Sequence, residues 1–406
     1  MPKSSLTILI ALFCLTMNAQ NVAQWRGPNR DGVYNEKGVL TVWPAGGPKL
    51  IWHFDGLGQG HASAAVTNSG VYTSGMIDGK GYIFAFDHKG TLRWKKEYGP
   101  EWTENHYGTR STPLVVDDKL YFISSFGKLF CMNTTNGQII WSIDTFREYG
   151  GRNTTWGLTE NLLYDGNVLY ASPGGKDASV IAVDRQTGKL IWKSRGTGEL
   201  SSYCSPILVQ LQSRKILITM MQKSIQAYDV STGKFLWSFR HITDYDINPN
   251  IPYYKDGYLY CTSGYGTGGV MLKLSPDGSS VSEVWKSRVP DPKFGGFVVL
   301  GGKIFGAGDH NRKLSCIDWL TGKELYSLRQ LAPGNVIAND GLLYVYTENG
   351  SVSLVKPAAA SFEIISSFKV PRGSGTHWAH LVINDRRLYV RHGGSLMVYD
   401  IASTNR

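Results

Sequence analysis

The sequence predicts an all-β fold, an eight-bladed β-propeller closed by an N-terminal strand that joins the last blade. Three observations carry this expectation. A phrase of Asp, Gly and, four residues after the Gly, Trp recurs as Asp87…Gly90…Trp94, Asp184…Gly188…Trp192 and Asp229…Gly233…Trp237. Looser copies stand at Asn133…Gly137…Trp141 and Asp318…Gly322…Tyr326. The anchors at 52, 94, 141, 192, 237, 285 and 326 are spaced by 41 to 51 residues, which is one four-stranded blade. Inside each period, short apolar runs ending in Tyr (Leu120-Tyr121, Leu169-Tyr170, Leu259-Tyr260, Leu343-Tyr344, Leu388-Tyr389) alternate with Gly or Asp turns.

Taken from the N-terminus, residues 1–19 read as a signal peptide. Lys3 precedes an apolar run from Leu6 to Met17 and a small residue, Ala19, at the expected cleavage point. The run is too short to span a bilayer comfortably, and Phe13 before Cys14 is too bulky for a lipidation site. No other segment is long and apolar enough to cross a membrane. A periplasmic or secreted location follows. Residues 20–48 form an N-terminal extension, and residues 49–406 form the propeller.

The blades are expected at about 61–98, 107–144, 154–195, 202–240, 245–288, 295–330, 332–370 and 376–401. The last holds only three strands, and Lys49-Leu50-Ile51-Trp52-His53-Phe54 supplies its missing outer one, which removes the free edge. Seven blades would leave one segment unpaired. The seventh repeat, Leu354 to Phe368, lacks the Asp, the Gly and the Trp. In the intact phrase the Asp caps the turn amides, the Gly accepts φ > 0, and the Trp fills the wedge between blades.

Composition narrows the function. The four cysteines after the leader, Cys131, Cys204, Cys261 and Cys316, fall in four different repeats without metal or haem spacing, so they are read as buried small residues. The net charge of +10 falls to +9 without Lys3 and is scattered. An exported basic protein points to acidic glycans or lipid head groups rather than nucleic acid. No GxSxG elbow or HExxH stands out, and the Gly-rich Ser263–Gly269 lacks the Lys-Ser/Thr ending of a phosphate loop.

The Asp-x-Thr-Gly-Lys-x-x-Trp phrase resembles the docking motif of PQQ-like β-propeller repeat proteins. The opening Trp25-Arg26-Gly27-Pro28-Asn29-Arg30-Asp31-Gly32 resembles the start of secreted bacterial members, as do Arg110-Ser111-Thr112-Pro113, Ser263-Gly264-Tyr265-Gly266 and Leu388-Tyr389-Val390-Arg391. The resemblance covers nearly the whole mature chain. It implies the propeller, and either a non-catalytic scaffold of outer-membrane protein assembly or a quinoprotein dehydrogenase with pyrroloquinoline quinone, calcium and a catalytic Asp. The dehydrogenase branch is poorly matched: there is no adjacent Cys pair and no CxxCH, and the chain is short for it. No cofactor is therefore expected; quinone with calcium is the alternative.

Loops entering the innermost strands share one face with the turns between second and third strands. Seven of the nine histidines map to that mouth. His61, His106, Tyr107, Arg110, Trp156, Glu160, Tyr203, Tyr265, His377, Trp378 and His380 are the candidate ligand-binding residues, with Trp102, Arg152, His241, His310 and His392 on the same face. Aromatic rings there would stack on sugars or an extended peptide while Arg110 grips a carboxylate. A metal or acid–base centre on His61, His106, His377 and His380 is a weaker reading, because His377 and His380, three apart on a strand, point opposite ways. The expected function is an exported, non-catalytic binding or scaffold protein whose partner is another exported protein, a peptide or a glycan. The alternative is a PQQ-dependent oxidoreductase acting on an alcohol or sugar.

Overall fold

The computed structural model describes residues 21–331 and 333–403, so the expected signal peptide lies outside the described residues. Eight sheets, each with four antiparallel blade strands, make an eight-bladed propeller. Blade 1 begins with Ala65–Thr67, blade 2 with Leu114–Val116 and blade 7 with Gly334–Asn339, each the innermost of its blade's own four strands. Blade 8 is built from Val382–Asn384, Arg387–His392 and Ser395–Asp400, and Lys49–Phe54 pairs antiparallel with the last of these. Closure joins Lys49–Phe54 and the last three described strands in one sheet.

The repeated phrase works as a joint between blades. Asp184 Oδ1 accepts from the amides of Gln186 and Thr187, and Gly188 follows at φ +72°. A Cβ on Gly188 would lie 2.8 Å from the Trp141 ring, so this position needs glycine for space as well as for conformation. The Trp141 indole N–H donates to the Arg185 carbonyl of the next blade at 3.1 Å. The same bond runs from Trp52 to His88, Trp94 to Thr134, Trp192 to Val230, Trp237 to Gly278 and Trp285 to Trp319, and Tyr326 Oη donates to Ala358. Seven of the eight joints are thus sealed by one aromatic donor.

The eighth joint, between blades 7 and 8, is sealed from outside the repeat. Ser366 pairs with Leu354 where Trp141 pairs with Cys131, so it occupies the anchor position. Trp43 of the extension fills the space, buried against Tyr344 and Phe368 at 5.7 Å from each ring. The turn itself is split between the chain ends. Asp400 Oδ1 caps Ala402, and Gly47 supplies the close approach to Phe368.

The rest of the extension enters the ring. Val22–Ala23 pairs antiparallel with the inner strand of blade 2, and Val33–Tyr34 runs parallel to the inner strand of blade 7. The loop between them crosses the channel. Arg26 donates to the carbonyls of Gly295 and Phe297, and Arg30 donates to those of Asn161 and Leu162. Both guanidiniums are buried, and main-chain oxygens of different blades accept from their terminal nitrogens. Sheet interiors and inter-blade wedges hold the apolar core.

Candidate ligand-binding site

The channel-crossing loop gives the mouth a floor. Trp25 lines the pocket at the mouth, while Arg26, Arg30 and Asp31 line a separate cleft on the far side. Seven of the eight incoming loops contribute a wall: His61 before blade 1, His106 and Arg110 before blade 2, Trp156, Thr159 and Asn161 before blade 3, and Tyr203 before blade 4. Ile247 and Pro249 precede blade 5, Lys293 and Phe294 precede blade 6, Trp378 and His380 precede blade 8, and Tyr265 comes from the hairpin turn of blade 5.

Eight of the eleven sequence-selected residues meet here: His61, His106, Arg110, Trp156, Tyr203, Tyr265, Trp378 and His380. Tyr107 stands on the rim, where it lines an adjoining lobe with Glu104, Asn105, His106 and Trp156. Glu160 and His377 depart from the expectation. Glu160 is fully buried and accepts from the amide and hydroxyl of Ser172, and desolvation pushes its pKa up to about 8. His377 stacks on His392 at 3.6 Å and bonds Tyr346, away from the pocket. Both alternate with pocket-facing neighbours in irregular loops, where chain position does not fix side-chain direction. Trp102 is likewise buried, with its N–H on Asn105.

Backbone strain concentrates at this mouth. His106, Tyr203, Tyr245 and Tyr265 have φ between +52° and +69°; the other described non-glycine residues at positive φ are Asp or Arg. A bulky residue in the left-handed region costs on the order of 1–3 kcal/mol and is held by its surroundings. Tyr203 shows how, because its hydroxyl bonds Thr154 and accepts from the Trp156 amide at 3.0 Å.

A chain of contacts ties the floor to the wall. Arg26 Nη1 donates to His380 Nδ1 at 3.0 Å, and His380 Nε2–H donates to the Phe294 carbonyl at 2.7 Å. Phe294 stacks on Trp378 at 4.4 Å. With one nitrogen accepting and the other donating, His380 is neutral and positions its neighbours. Burial, with the Arg26 charge beside it, holds its pKa down to about 3. His61 is held down to about 3 by burial and then by Arg110 and Arg391, and His106 is lowered by desolvation and by Arg110. The pocket charge therefore comes from Arg110 and Lys293, with neutral imidazoles around them and no Asp or Glu in the lining.

That donor set does not fit calcium, which takes six to eight oxygen ligands with carboxylates prominent. Glu104 lies in the adjoining lobe, and the carboxylates closest to the pocket wall are engaged elsewhere. Glu101 accepts from Tyr98 and the Trp102 amide, Glu348 accepts from Trp378, Asp309 faces Lys293, and Glu160 holds Ser172. Among the described residues no group of three or more His, Cys, Asp or Glu side chains is arranged to hold a metal.

The repeat-family model described as "Outer membrane protein assembly factor BamB" matches residues 32–172, 79–241 and 150–281, together more than half of the chain. The chain belongs to this PQQ-like repeat family. Among curated PQQ-like relatives, the outer membrane protein assembly factor BamB of Kangiella koreensis is 27% identical over 209 residues, 50% of this chain and 48% of that protein. The quinoprotein alcohol dehydrogenase PedH of Pseudomonas putida is 23% identical over 214 residues, 50% of this chain and 34% of the dehydrogenase. The match to each of these relatives spans less than half of the relative's length. BamB from Moraxella catarrhalis has the same fold, with a TM-score of 0.61 at 15% identity over 88% of this chain and 98% of that one. No described helix is long and apolar enough to cross a membrane.

Lys293, Phe294 and Trp25 are pocket residues that the sequence did not single out. The blade count places the 288–296 connection on the mouth face, so Lys293 and Phe294 were within its reach. Trp25 was not, since its position depends on main-chain partners near residues 161, 295 and 336.

Proposed function

We propose that this PQQ-like propeller is an exported, non-catalytic binding or scaffold protein that holds its partner at the mouth. The observation that carries the reading is the lining of the inner pocket: aromatic rings, two cationic side chains and neutral histidines, without a carboxylate to act as base or to bind a cation. The blades fix these loops on a rigid ring, and the strained aromatics are held in place before any ligand arrives, which lowers the ordering cost of binding. A periplasmic or secreted location and a partner that is an exported protein, a peptide or a glycan fit the expected leader and the basic surface. The assembly-factor relatives favour the scaffold side. The quinoprotein relative favours an oxidoreductase acting on an alcohol or sugar, and that reading lacks its calcium ligands here.

Binding of the mature protein to glycan and peptide arrays, compared with Arg110→Ala and Trp156→Ala, tests the site. Both variants keep the wild-type fold, and at least one class of probe is lost in both. Wild-type binding by both variants would place the site elsewhere.

A further inference from the structure

We infer that the mouth is a two-lobed cleft for an acidic oligosaccharide, with the carboxylate of a terminal uronic-acid unit on Arg110 in the inner lobe and the neighbouring sugar in the outer lobe against Trp156 and Tyr107. The inference rests on the binding-protein reading above and names its ligand class. The two lobes share His106 and Trp156 as common walls, so one ligand longer than a single ring can reach both.

Charge sets the orientation. Arg110 and Lys293 face the inner lobe with no lining carboxylate, while Glu104 lies in the outer one. Arg110 donates to the carbonyls of Asn105 and His106, which fixes its guanidinium without neutralising it. Lys293 is only loosely compensated, 3.8 Å from Asp309. An acid group is drawn inward, and a second acid next to Glu104 is repelled.

Side-chain chemistry favours a saccharide over a peptide. The lining carries the imidazoles of His61 and His106, the Arg110 guanidinium and the Tyr265 hydroxyl. These directional polar groups beside aromatic rings suit sugar hydroxyls around an apolar ring face. A peptide held by strand pairing would need a free strand edge, and the walls here are loops.

The test is a calorimetric titration of the mature protein with glucuronic acid, glucuronosyl-xylose, xylobiose and trigalacturonate. Glucuronosyl-xylose binds tightest, with glucuronic acid and xylobiose each about tenfold or more weaker. Arg110→Ala removes the preference for acid and Arg110→Lys keeps part of it. Tyr107→Ala reduces the disaccharide to the affinity of glucuronic acid without changing the latter. Glu104→Gln tightens trigalacturonate selectively. Equal affinity for xylobiose and glucuronosyl-xylose, or equal weakening of mono- and disaccharide by Tyr107→Ala, overturns the inference. Absence of saccharide binding alongside Arg110-dependent capture of an acidic peptide overturns the ligand class and leaves the binding-protein reading standing. If neither sugars nor peptides depend on Arg110, both fail.

Discussion

The backbone N–H of Trp43 donates to Ser366 Oγ at 2.8 Å, joining the extension to the one blade whose anchor residue is not aromatic. The Trp43 ring then fills the wedge that Trp141 or Trp192 fills elsewhere. The ring of blades is therefore complete only with residues 38–48 in place. Truncation of this buried indole to Ala should cost about 3–5 kcal/mol. Chemical denaturation of Trp43→Ala beside Trp192→Ala checks this, and the account expects similar losses.

Arg26 anchors the channel-crossing loop to three main-chain carbonyls and to His380. Arg26→Met leaves those buried oxygens without a donor, at an expected cost of about 2–4 kcal/mol. The loop bearing Lys293 and Phe294 should also loosen. Hydrogen exchange over residues 288–297 is expected to speed up more than exchange in the blade 4 core.

Tyr245 is largely exposed yet held at φ +62°, edge-on to Trp156 and Tyr265. Tyr245→Gly should raise stability by roughly 1 kcal/mol by relieving this conformation. The same change should weaken ligand binding at the mouth. Thermal unfolding and titration of one variant separate the two effects.

Buried titratable groups set the pH profile in opposite directions. His61, His241 and His380 are held well below 6.5 by desolvation, to about 3, about 4 and about 3. The unfolded chain takes up protons at these sites first, so their stabilisation is present above pH 6.5 and is lost as pH falls below it. Glu160, raised from 4.5 to about 8 by desolvation, binds its proton more tightly when folded. Its contribution is present at low pH and is lost as pH rises from about 4.5 to 8, at about 1.4 kcal/mol per pH unit. Three histidines outweigh Glu160 below pH 6.5, and Glu160 acts alone among these four groups between 6.5 and 8. The thermal midpoint should therefore peak near pH 6.5, and Glu160→Gln should flatten the alkaline side up to about pH 8 and steepen the acid side between about 4.5 and 6.5.

The fold was legible because a blade is a local object. Asp184, Gly188 and Trp192 lie within nine residues, and their spacing reports the joint directly. The closing strand around Trp52 followed from the three-stranded last blade. The seventh blade escaped the phrase because its anchor, Trp43, arrives from more than three hundred residues away. The candidate site was legible as a face, since strand order assigns loops to one end of the ring. It was not legible as a set of directions. Glu160 and Asn161 are adjacent, yet Asn161 lines the pocket while Glu160 turns to Ser172.

The central claim is a mouth that binds a ligand without quinone chemistry. Equilibrium dialysis of the mature protein against calcium and pyrroloquinoline quinone, followed by a dye-linked assay with ethanol and glucose, tests it most directly. The account predicts no stoichiometric calcium, no calcium-dependent quinone band and no dye reduction. Calcium-dependent quinone binding with dye reduction on either substrate would contradict it.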